Sequence, residues 1–311
     1  MATISLPQLD GGLFLSDGGL ETTLIFLEGV ELPHFAAFVL LHDEAGREQL
    51  RAYYRPYLEL AAATPHAGFV LETPTWRAST DWGRLLNYEP AALAQANRDA
   101  ARLVRELRDE WQPRLAGPVV LSGVIGPRGD GYIADAPNSV ADAADYHQAQ
   151  AAALRDGGVD MLSAVTMTTS AEALGVARAA RSVGLPVSIS FTVETDGRLP
   201  GGETLREAIE AVDAAERPAY FAINCAHPTH FSACLAGGGD WIARIRCVRA
   251  NASTRSHAEL DAATELDIGD PVALGGHYRR LRASLPGLNV LGGCCGTDSR
   301  HLRAIRDAWV R

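Results

Sequence analysis

Three of the five cysteines stand where their thiols could bind one metal ion: Cys225 follows Asn224, and Cys294 and Cys295 lie side by side between glycines. Thiolate sulfur is a soft ligand that favours zinc over magnesium or calcium. Three protein ligands would leave a fourth coordination position open, which is typical of a catalytic zinc site. An adjacent cysteine pair could equally form a strained disulfide or respond to redox state, and no CxxC pair strengthens the metal interpretation. The spacing alone leaves both interpretations open.

Composition excludes several classes of protein. A net charge of -10 argues against binding to nucleic acid or to anionic membranes. All 28 basic residues are arginines, which excludes enzymes that need a lysine Schiff base or a P-loop lysine. No apolar run approaches the roughly 18 residues that span a bilayer, and residues 1–12 show no signal-peptide pattern. We therefore expect a cytoplasmic enzyme, and an oligomer is compatible with the sequence.

The cysteine count also argues against a disulfide scaffold, since five is an odd number and the cytosol is reducing. Cys234 and Cys247 are interpreted as small apolar core residues.

The elements that would position these residues follow from a regular alternation of short β-branched runs with longer amphipathic segments. Alternation of this kind predicts a parallel sheet with helical crossovers, and eight units are expected to close into a (β/α)8 TIM barrel, one domain over residues 1–311. An open doubly wound sheet is the competing architecture, weakened because no strand is followed by GxGxxG. The predicted strands are 13–17, 68–73, 118–125, 159–166, 185–192, 219–224, 241–248 and 287–292. The predicted helices are 44–63, 90–111, 139–157, 170–183, 203–216, 229–236, 270–285 and 298–310.

In such a barrel the active site lies at the carboxyl ends of the strands, and most of the unusual polar residues fall there. Strands 6 and 8 are two strand spacings apart, about 10 Å, so Cys225 can meet the cysteine pair. The strand-end residues are Asp17 and Gly18 (strand 1), Glu72 (strand 2), Glu194 (strand 5), Asn224 and Cys225 (strand 6), and Cys294 and Cys295 (strand 8).

Four motifs resemble those of the homocysteine S-methyltransferases, a barrel family that includes betaine–homocysteine and S-methylmethionine–homocysteine methyltransferases. They occur in the family's order and cover nearly the whole chain, and the last is highly specific. The motifs are DGGLET at 17–22, SGVIGP at 122–127, Asn224-Cys225, and GGCCGT at 292–297.

The resemblance implies a zinc centre beside a substrate site. Its zinc ligands are Cys225, Cys294 and Cys295. Asp17 and Gly18 match the segment that contacts the thiol substrate, although Asp17 could instead be a turn residue or a helix N-cap. The remaining matched motif positions are Thr22, Ser122 and Asn224, of which Asn224 could orient the ligand loop.

The implied reaction is methyl transfer to a thiol. A free thiol has a pKa of about 8.5, and binding to zinc deprotonates it. The sulfur can then attack a methyl group on a sulfonium or quaternary ammonium donor, with S-methylmethionine or S-adenosylmethionine favoured and homocysteine giving methionine. Aromatic faces attract such cations, and nearby carboxylates add long-range attraction. The aromatic candidates are Trp76, Trp82 and Tyr132, and the acidic ones are Glu21, Glu72 and Glu194.

One position departs from the family pattern. Members that use homocysteine commonly carry Glu-Thr at the end of strand 4, where the Glu binds the substrate's amino group, whereas this chain has Val165. Either Glu72 or Glu194 substitutes, or the acceptor is another thiol.

Two further hypotheses place a different function on the same barrel. The first is a zinc hydrolase or lyase that uses zinc-bound water, and the second is a thiol sensor or zinc store. The all-sulfur ligand set argues against the first. His227 and His230 follow Cys225 closely, but they are predicted to start a helix.

Overall fold

Eight parallel strands close into a barrel in the order β1 to β8, as shown by a computed structural model that describes residues 5–134 and 139–311. The (β/α)8 prediction is therefore confirmed. Residues 1–4, part of the segment in which no signal peptide was predicted, lie outside the described residues. The strands are Phe14–Leu15 (β1), Gly68–Glu72 (β2), Val119–Ile125 (β3), Met161–Met167 (β4), Val187–Phe191 (β5), Tyr220–Asn224 (β6), Ile245–Ala250 (β7) and Val290–Gly293 (β8).

Helices connect the strands and cover the outside of the barrel. Their starts follow local capping chemistry: Ser139 and Thr204 each form a reciprocal capping box with the acidic residue three positions on. The helices are Leu20–Thr22 (α1), Glu44–Ala62 (α2), Thr80–Leu85 (α3), Pro90–Trp111 (α4), Val140–Gly157 (α5), Ser170–Val183 (α6), Leu205–Glu216 (α7), Pro228–Phe231 (α8), His257–Asp261 (α9), Pro271–Ser284 (α10) and Ser299–Val310 (α11). Each helix in the described ranges is too short or too polar to cross a bilayer.

All eight strands appear in the predicted places with ends that differ by up to four residues, and two of them show a local irregularity. β7 begins at Ile245 rather than at residue 241, because Asp240–Arg244 form a 3-10 turn in which the Trp241 indole donates to the Gly238 carbonyl. The register of β4 shifts between Ala164 and Met167, where Thr166 adopts a left-handed backbone conformation with φ 61°. The irregularity of β4 thus lies next to the carboxyl rim, whereas the turn before β7 lies at the opposite end of the barrel.

Inside the barrel, an apolar layer fills the end opposite to the carboxyl rim. It includes Phe14, Val70 and Met161, and Leu6 from the N-terminal segment packs into it. Cys247 belongs to this layer, so it is a core residue as predicted. Cys234, which was also predicted to be a core residue, is only half-buried and lies outside the core, because its thiol donates to the Gly197 carbonyl at the surface of the loop after β5. Because this end of the barrel is filled with side chains, a substrate pocket can open only at the carboxyl rim.

Candidate metal centre and substrate pocket

The end of β6 and the loop after β8 bring the three motif cysteines together. Cys225 adopts a left-handed conformation with φ 53° directly after β6, and its N–H donates to the Arg249 carbonyl on β7. The Cys294 N–H donates to the Ala250 carbonyl at 2.8 Å, and the Cys295 carbonyl accepts from Ala252 at 3.0 Å. Both cysteine segments are therefore fixed to β7, which lies between them.

The geometry of the three thiols fits a metal ion. All three Sγ atoms lie within 4.8 Å of one another, and the Sγ atoms of Cys225 and Cys295 are 3.9 Å apart. Two sulfurs bound to one tetrahedral zinc at about 2.3 Å would lie about 3.8 Å apart. All five cysteines in the chain are free thiols. Cys225, Cys294 and Cys295, hereafter the cysteine cluster, thus have the spacing and the donor chemistry of a zinc site with an open position.

The thiols of the cysteine cluster differ in acidity. Hydrogen bonds from Cys225 and Cys295 hold the pKa of Cys294 well below its ordinary range, and the nearby Arg249 guanidinium acts in the same direction. Hydrogen bonds of Cys225 with Cys294 and Cys295, together with burial, raise the pKa of Cys225. One sulfur of the cluster therefore carries negative charge most readily.

Asn224 orients the segment that carries Cys225. Its Oδ1 accepts from the Thr166 N–H at 2.8 Å and from the Ser190 hydroxyl at 2.6 Å, while its Nδ2 donates to the Thr166 hydroxyl. Nδ2 also lies 4.0 Å from the Cys294 sulfur. Asn224 thus joins the bulge of β4 to the cysteine cluster, and these contacts favour the orienting role over direct substrate binding.

Thr22 links the strand-1 loop to the cysteine loop. Its hydroxyl accepts from the Gly296 N–H at 3.1 Å and donates to the Gly19 carbonyl at 3.2 Å. The two loops are so close that a Cβ on Gly19 would lie 2.5 Å from the Cys294 carbonyl oxygen. The residues of the DGGLET motif are therefore fixed directly against the cysteine cluster.

Arg249, which the sequence analysis did not single out, holds two predicted substrate residues. Its guanidinium pairs with Asp17 at 2.7 Å and also contacts the Glu72 carboxylate. Nε donates to the Gly293 carbonyl and Nη2 to the Gly18 carbonyl. β7 carries two arginines among apolar residues, and an arginine at the carboxyl end of such a strand is the signal that could have indicated this buried ion pair. We call Asp17, Glu72 and Arg249 the arginine–carboxylate cluster.

Tyr132, a predicted cation-binding residue, borders the cysteine cluster. Its hydroxyl lies 3.4 Å from the Cys295 sulfur, and its ring stacks on His257 at 4.1 Å between centroids. His257 contacts the Cys225 carbonyl through Nε2 at 2.7 Å and the Glu194 carboxylate through Nδ1 at 2.9 Å. Glu194 therefore supports the cysteine cluster through His257 and lines a separate depression rather than the pocket. Sequence reasoning missed His257, which lies in a loop helix with no motif around it.

The rings of Trp76 and Trp82, predicted to bind a substrate cation, both contact the side chain of Arg77 instead. The Arg77 guanidinium lies 4.0 Å from the Trp76 ring and 3.7 Å from the Trp82 ring, and it donates to the Gly129 carbonyl. Burial lowers the pKa of Arg77 to about 10. Trp76 still lines the pocket, whereas Trp82 does not.

Glu21 lies in the pocket wall at the start of α1 and is half-buried. Burial raises the pKa of its carboxyl to about 7, and the neighbouring Cys294 and Asp17 act in the same direction, while its own backbone amide lowers it. Val165, the residue that departs from the family pattern, also lines the pocket. The pocket wall thus offers one half-buried carboxylate on the strand-1 side and an apolar side chain at the end of β4.

One pocket therefore contains most of the predicted site. Glu194, Trp82 and Ser122 lie outside it, and the Ser122 hydroxyl bonds instead to Ser163 inside the barrel. The predicted residues that line the pocket are Asp17, Gly18, Glu21, Thr22, Glu72, Trp76, Tyr132, Asn224, Cys225, Cys294 and Cys295.

Comparison with known proteins agrees with this geometry. The family model described as homocysteine S-methyltransferase matches residues 14–309. A curated relative, homocysteine S-methyltransferase 1 from Zea mays, is 24% identical over 324 aligned positions, which cover 95% of this chain and 94% of the relative.

Solved structures of the homocysteine methyltransferase MmuM from Escherichia coli share the fold. The metallated form has a TM-score of 0.76 at 20% identity and covers 95% of this chain and 96% of its own. The oxidised form has the same TM-score at 21% identity, with 95% of each chain covered. At these identities the likeness establishes the barrel fold.

Proposed function

Because this chain belongs to the homocysteine S-methyltransferase family, we propose that it transfers a methyl group from a cationic donor to the sulfur of homocysteine, giving methionine. S-methylmethionine or S-adenosylmethionine is the favoured donor. The observation that carries the proposal is the cysteine cluster, whose three sulfurs lie within 4.8 Å of one another in the wall of a pocket lined by carboxylates. We further propose that residues 1–311 form one domain and that the enzyme is cytoplasmic.

Zinc is the metal that we propose for the cysteine cluster. The soft donor set and the 3.9 Å separation of the Cys225 and Cys295 sulfurs support it. When bound there, zinc supplies the positive charge that allows a substrate thiol to lose its proton at neutral pH.

The chain's own residues position the reactants. Thr22 and Asn224 fix the two loops that carry the cysteines, so the ligand set is preorganised. Tyr132 places a hydroxyl beside Cys295 and an aromatic face on the pocket wall. The pocket's carboxylates attract a positively charged donor.

The bond changes need little else from the protein. The acceptor sulfur forms a bond to the methyl carbon as the carbon–sulfur or carbon–nitrogen bond of the donor breaks. The bonding pair leaves with the donor, which departs as a neutral thioether or amine. No general acid is required, and positioning together with charge supplies the acceleration.

The test is a screen of purified protein with defined metal content. We expect about one zinc per chain by mass spectrometry of metals, and methionine when homocysteine is supplied with S-methylmethionine or S-adenosylmethionine. Betaine serves as the third donor in the screen. Full methyl transfer by metal-free protein, or no methylated thiol with any donor, would contradict the proposal.

A further inference from the structure

The carboxylates that line the pocket differ in what compensates their charge. Asp17 and Glu72 both pair with Arg249, and Asp17 also accepts a hydrogen bond from the Tyr53 hydroxyl at 3.1 Å. The Arg249 guanidinium is further occupied by the Gly18 carbonyl. A substrate cation would have to compete with this buried arginine for either carboxylate.

Two other lining carboxylates are compensated differently. Asp130 accepts hydrogen bonds from the backbone of the loop that follows it and faces the Arg77 guanidinium at 3.9 Å. Asp261 is exposed at the end of α9, where water solvates its charge. Glu21 is different, because it is half-buried and has no ion-pair partner among the residues that the structure describes.

The backbone around Glu21 is held in place by its neighbours on both sides, which keeps its side chain at the pocket wall. Leu20 and Thr22 on either side are buried, and Thr22 is hydrogen-bonded to the cysteine loop. A half-buried carboxylate without a partner is costly, and a cation from a ligand would remove that cost.

The acceptor in the proposed reaction supplies such a cation. Homocysteine carries an ammonium group four bonds from its sulfur, so a molecule whose sulfur lies at the cysteine cluster presents the ammonium to the surrounding wall. At the end of β4 that wall offers Val165, an apolar side chain that cannot pair with a cation. On the strand-1 side it offers Glu21, which lines the same pocket as Cys294 and follows Gly19, whose backbone packs directly against Cys294.

We infer that Glu21 determines acceptor specificity by pairing with the ammonium group of the thiol substrate. This inference rests on the proposed methyl transfer and names the residue that recognises the acceptor. It places the recognition carboxylate on the loop after β1.

The test compares homocysteine with 4-mercaptobutanoate, which is homocysteine without its amino group, for the wild type and for Glu21→Gln. A charge-assisted hydrogen bond is worth about 10–100-fold in affinity. We therefore expect Glu21→Gln to lower kcat/KM for homocysteine by about 10–100-fold and to leave kcat/KM for 4-mercaptobutanoate within about 2-fold. The KM of the methyl donor should change far less than that of homocysteine, because the other carboxylates of the pocket remain to attract it.

Matched variants separate recognition from folding. Glu28→Gln makes the same chemical change at an exposed position of the same segment and should leave both acceptors unaffected. Val165→Glu combined with Glu21→Gln should recover part of the preference for homocysteine, because it returns a carboxylate to the pocket. Equal loss with both acceptors, or a donor KM raised as much as that of homocysteine, would overturn the inference, as would an unchanged preference.

A binding measurement that does not depend on methyl transfer tests this inference separately from the proposed function. Titration calorimetry with methionine and with 4-(methylthio)butanoate should show that wild type prefers methionine and that Glu21→Gln loses the preference. If wild type transfers no methyl group but shows this Glu21-dependent preference, the proposed function fails and the inference stands. If methyl transfer occurs and the preference is independent of Glu21, only the inference fails.

Discussion

The cysteine cluster and the arginine–carboxylate cluster share one pocket but compensate negative charge in different ways. In the arginine–carboxylate cluster, Arg249 reaches from β7 to Asp17 and Glu72, so the cation is part of the chain. In the cysteine cluster, the thiols hydrogen-bond to one another and to the Tyr132 hydroxyl, and the Arg249 guanidinium acts on Cys294 from farther away. One part of the pocket thus carries its own cation in the polypeptide, whereas the thiols of the other have the spacing of a metal site, where a bound ion would supply the positive charge.

The largest expected effect comes from removing one sulfur. We expect Cys294→Ser to lose bound zinc and to lower methyl transfer by about 10³-fold or more, the scale of losing a central electrostatic contributor to catalysis. Metal analysis and turnover measure this together. Cys234→Ser is the matched control, because Cys234 is half-buried and lies outside the pocket. A Cys294→Ser variant that keeps its zinc would remove the contrast between the two clusters.

Removing the cation of the arginine–carboxylate cluster should lower the free energy of unfolding. Arg249→Met leaves two buried carboxylates without their cation, and breaking a buried ion pair in this way costs about 3–5 kcal/mol. Urea denaturation measures the change. Adding Asp17→Asn and Glu72→Gln removes the stranded charges and should recover most of the loss. A loss below about 1 kcal/mol for Arg249→Met would show that solvent already screens this cluster.

Glu21 offers a smaller, pH-dependent effect. The pKa of its carboxyl is raised to about 7 in the fold by burial, so its contribution to stability is complete below the unfolded-state pKa near 4.5 and is lost as the pH rises through 7. We expect Glu21→Gln to be more stable than wild type by about 1–3 kcal/mol at pH 8.5 and nearly equal at pH 4. Urea midpoints across this range measure it, and a constant difference between the two proteins would contradict the assignment.

The smallest expected effect is on metal affinity, when the Tyr132 hydroxyl beside the cysteine cluster is removed. Tyr132→Phe removes the hydroxyl that lies 3.4 Å from the Cys295 sulfur and keeps the ring that stacks on His257. We expect zinc affinity to fall by about 2–10-fold, the size of one ordinary hydrogen bond. Competition with a chelator measures it, and Tyr146→Phe, outside the pocket, serves as the control.

The sequence predicted the barrel because its signals are local. Alternating runs and capping residues determine each element from its own neighbourhood, and the eight strands appear where they were expected, with β7 shifted toward its carboxyl end by a 3-10 turn before it. The cysteine cluster was predictable because thiols are rare and their motifs are specific.

The partners of Arg249 were not predictable in the same way. Asp17, Glu72 and Arg249 come from three strands, and they meet only because the closed barrel brings the ends of β1, β2 and β7 to one rim. Glu194 was expected in the pocket from its position after β5, but His257 in the loop after β7 holds it outside. Loop conformations that depend on such distant partners are not encoded by local pattern.

Closure of the barrel has a consequence for the order of events during biosynthesis. β1 pairs with β8 through Phe14 with Val290 and Leu15 with Leu291, so the ring closes only when its first and last strands meet. Contacts between such distant segments form slowly because the loop entropy must be overcome first. A nascent chain exposes Cys225 long before Cys294 and Cys295 leave the ribosome. The three sulfurs therefore meet only after β8, the last strand to be synthesised, has paired with β7.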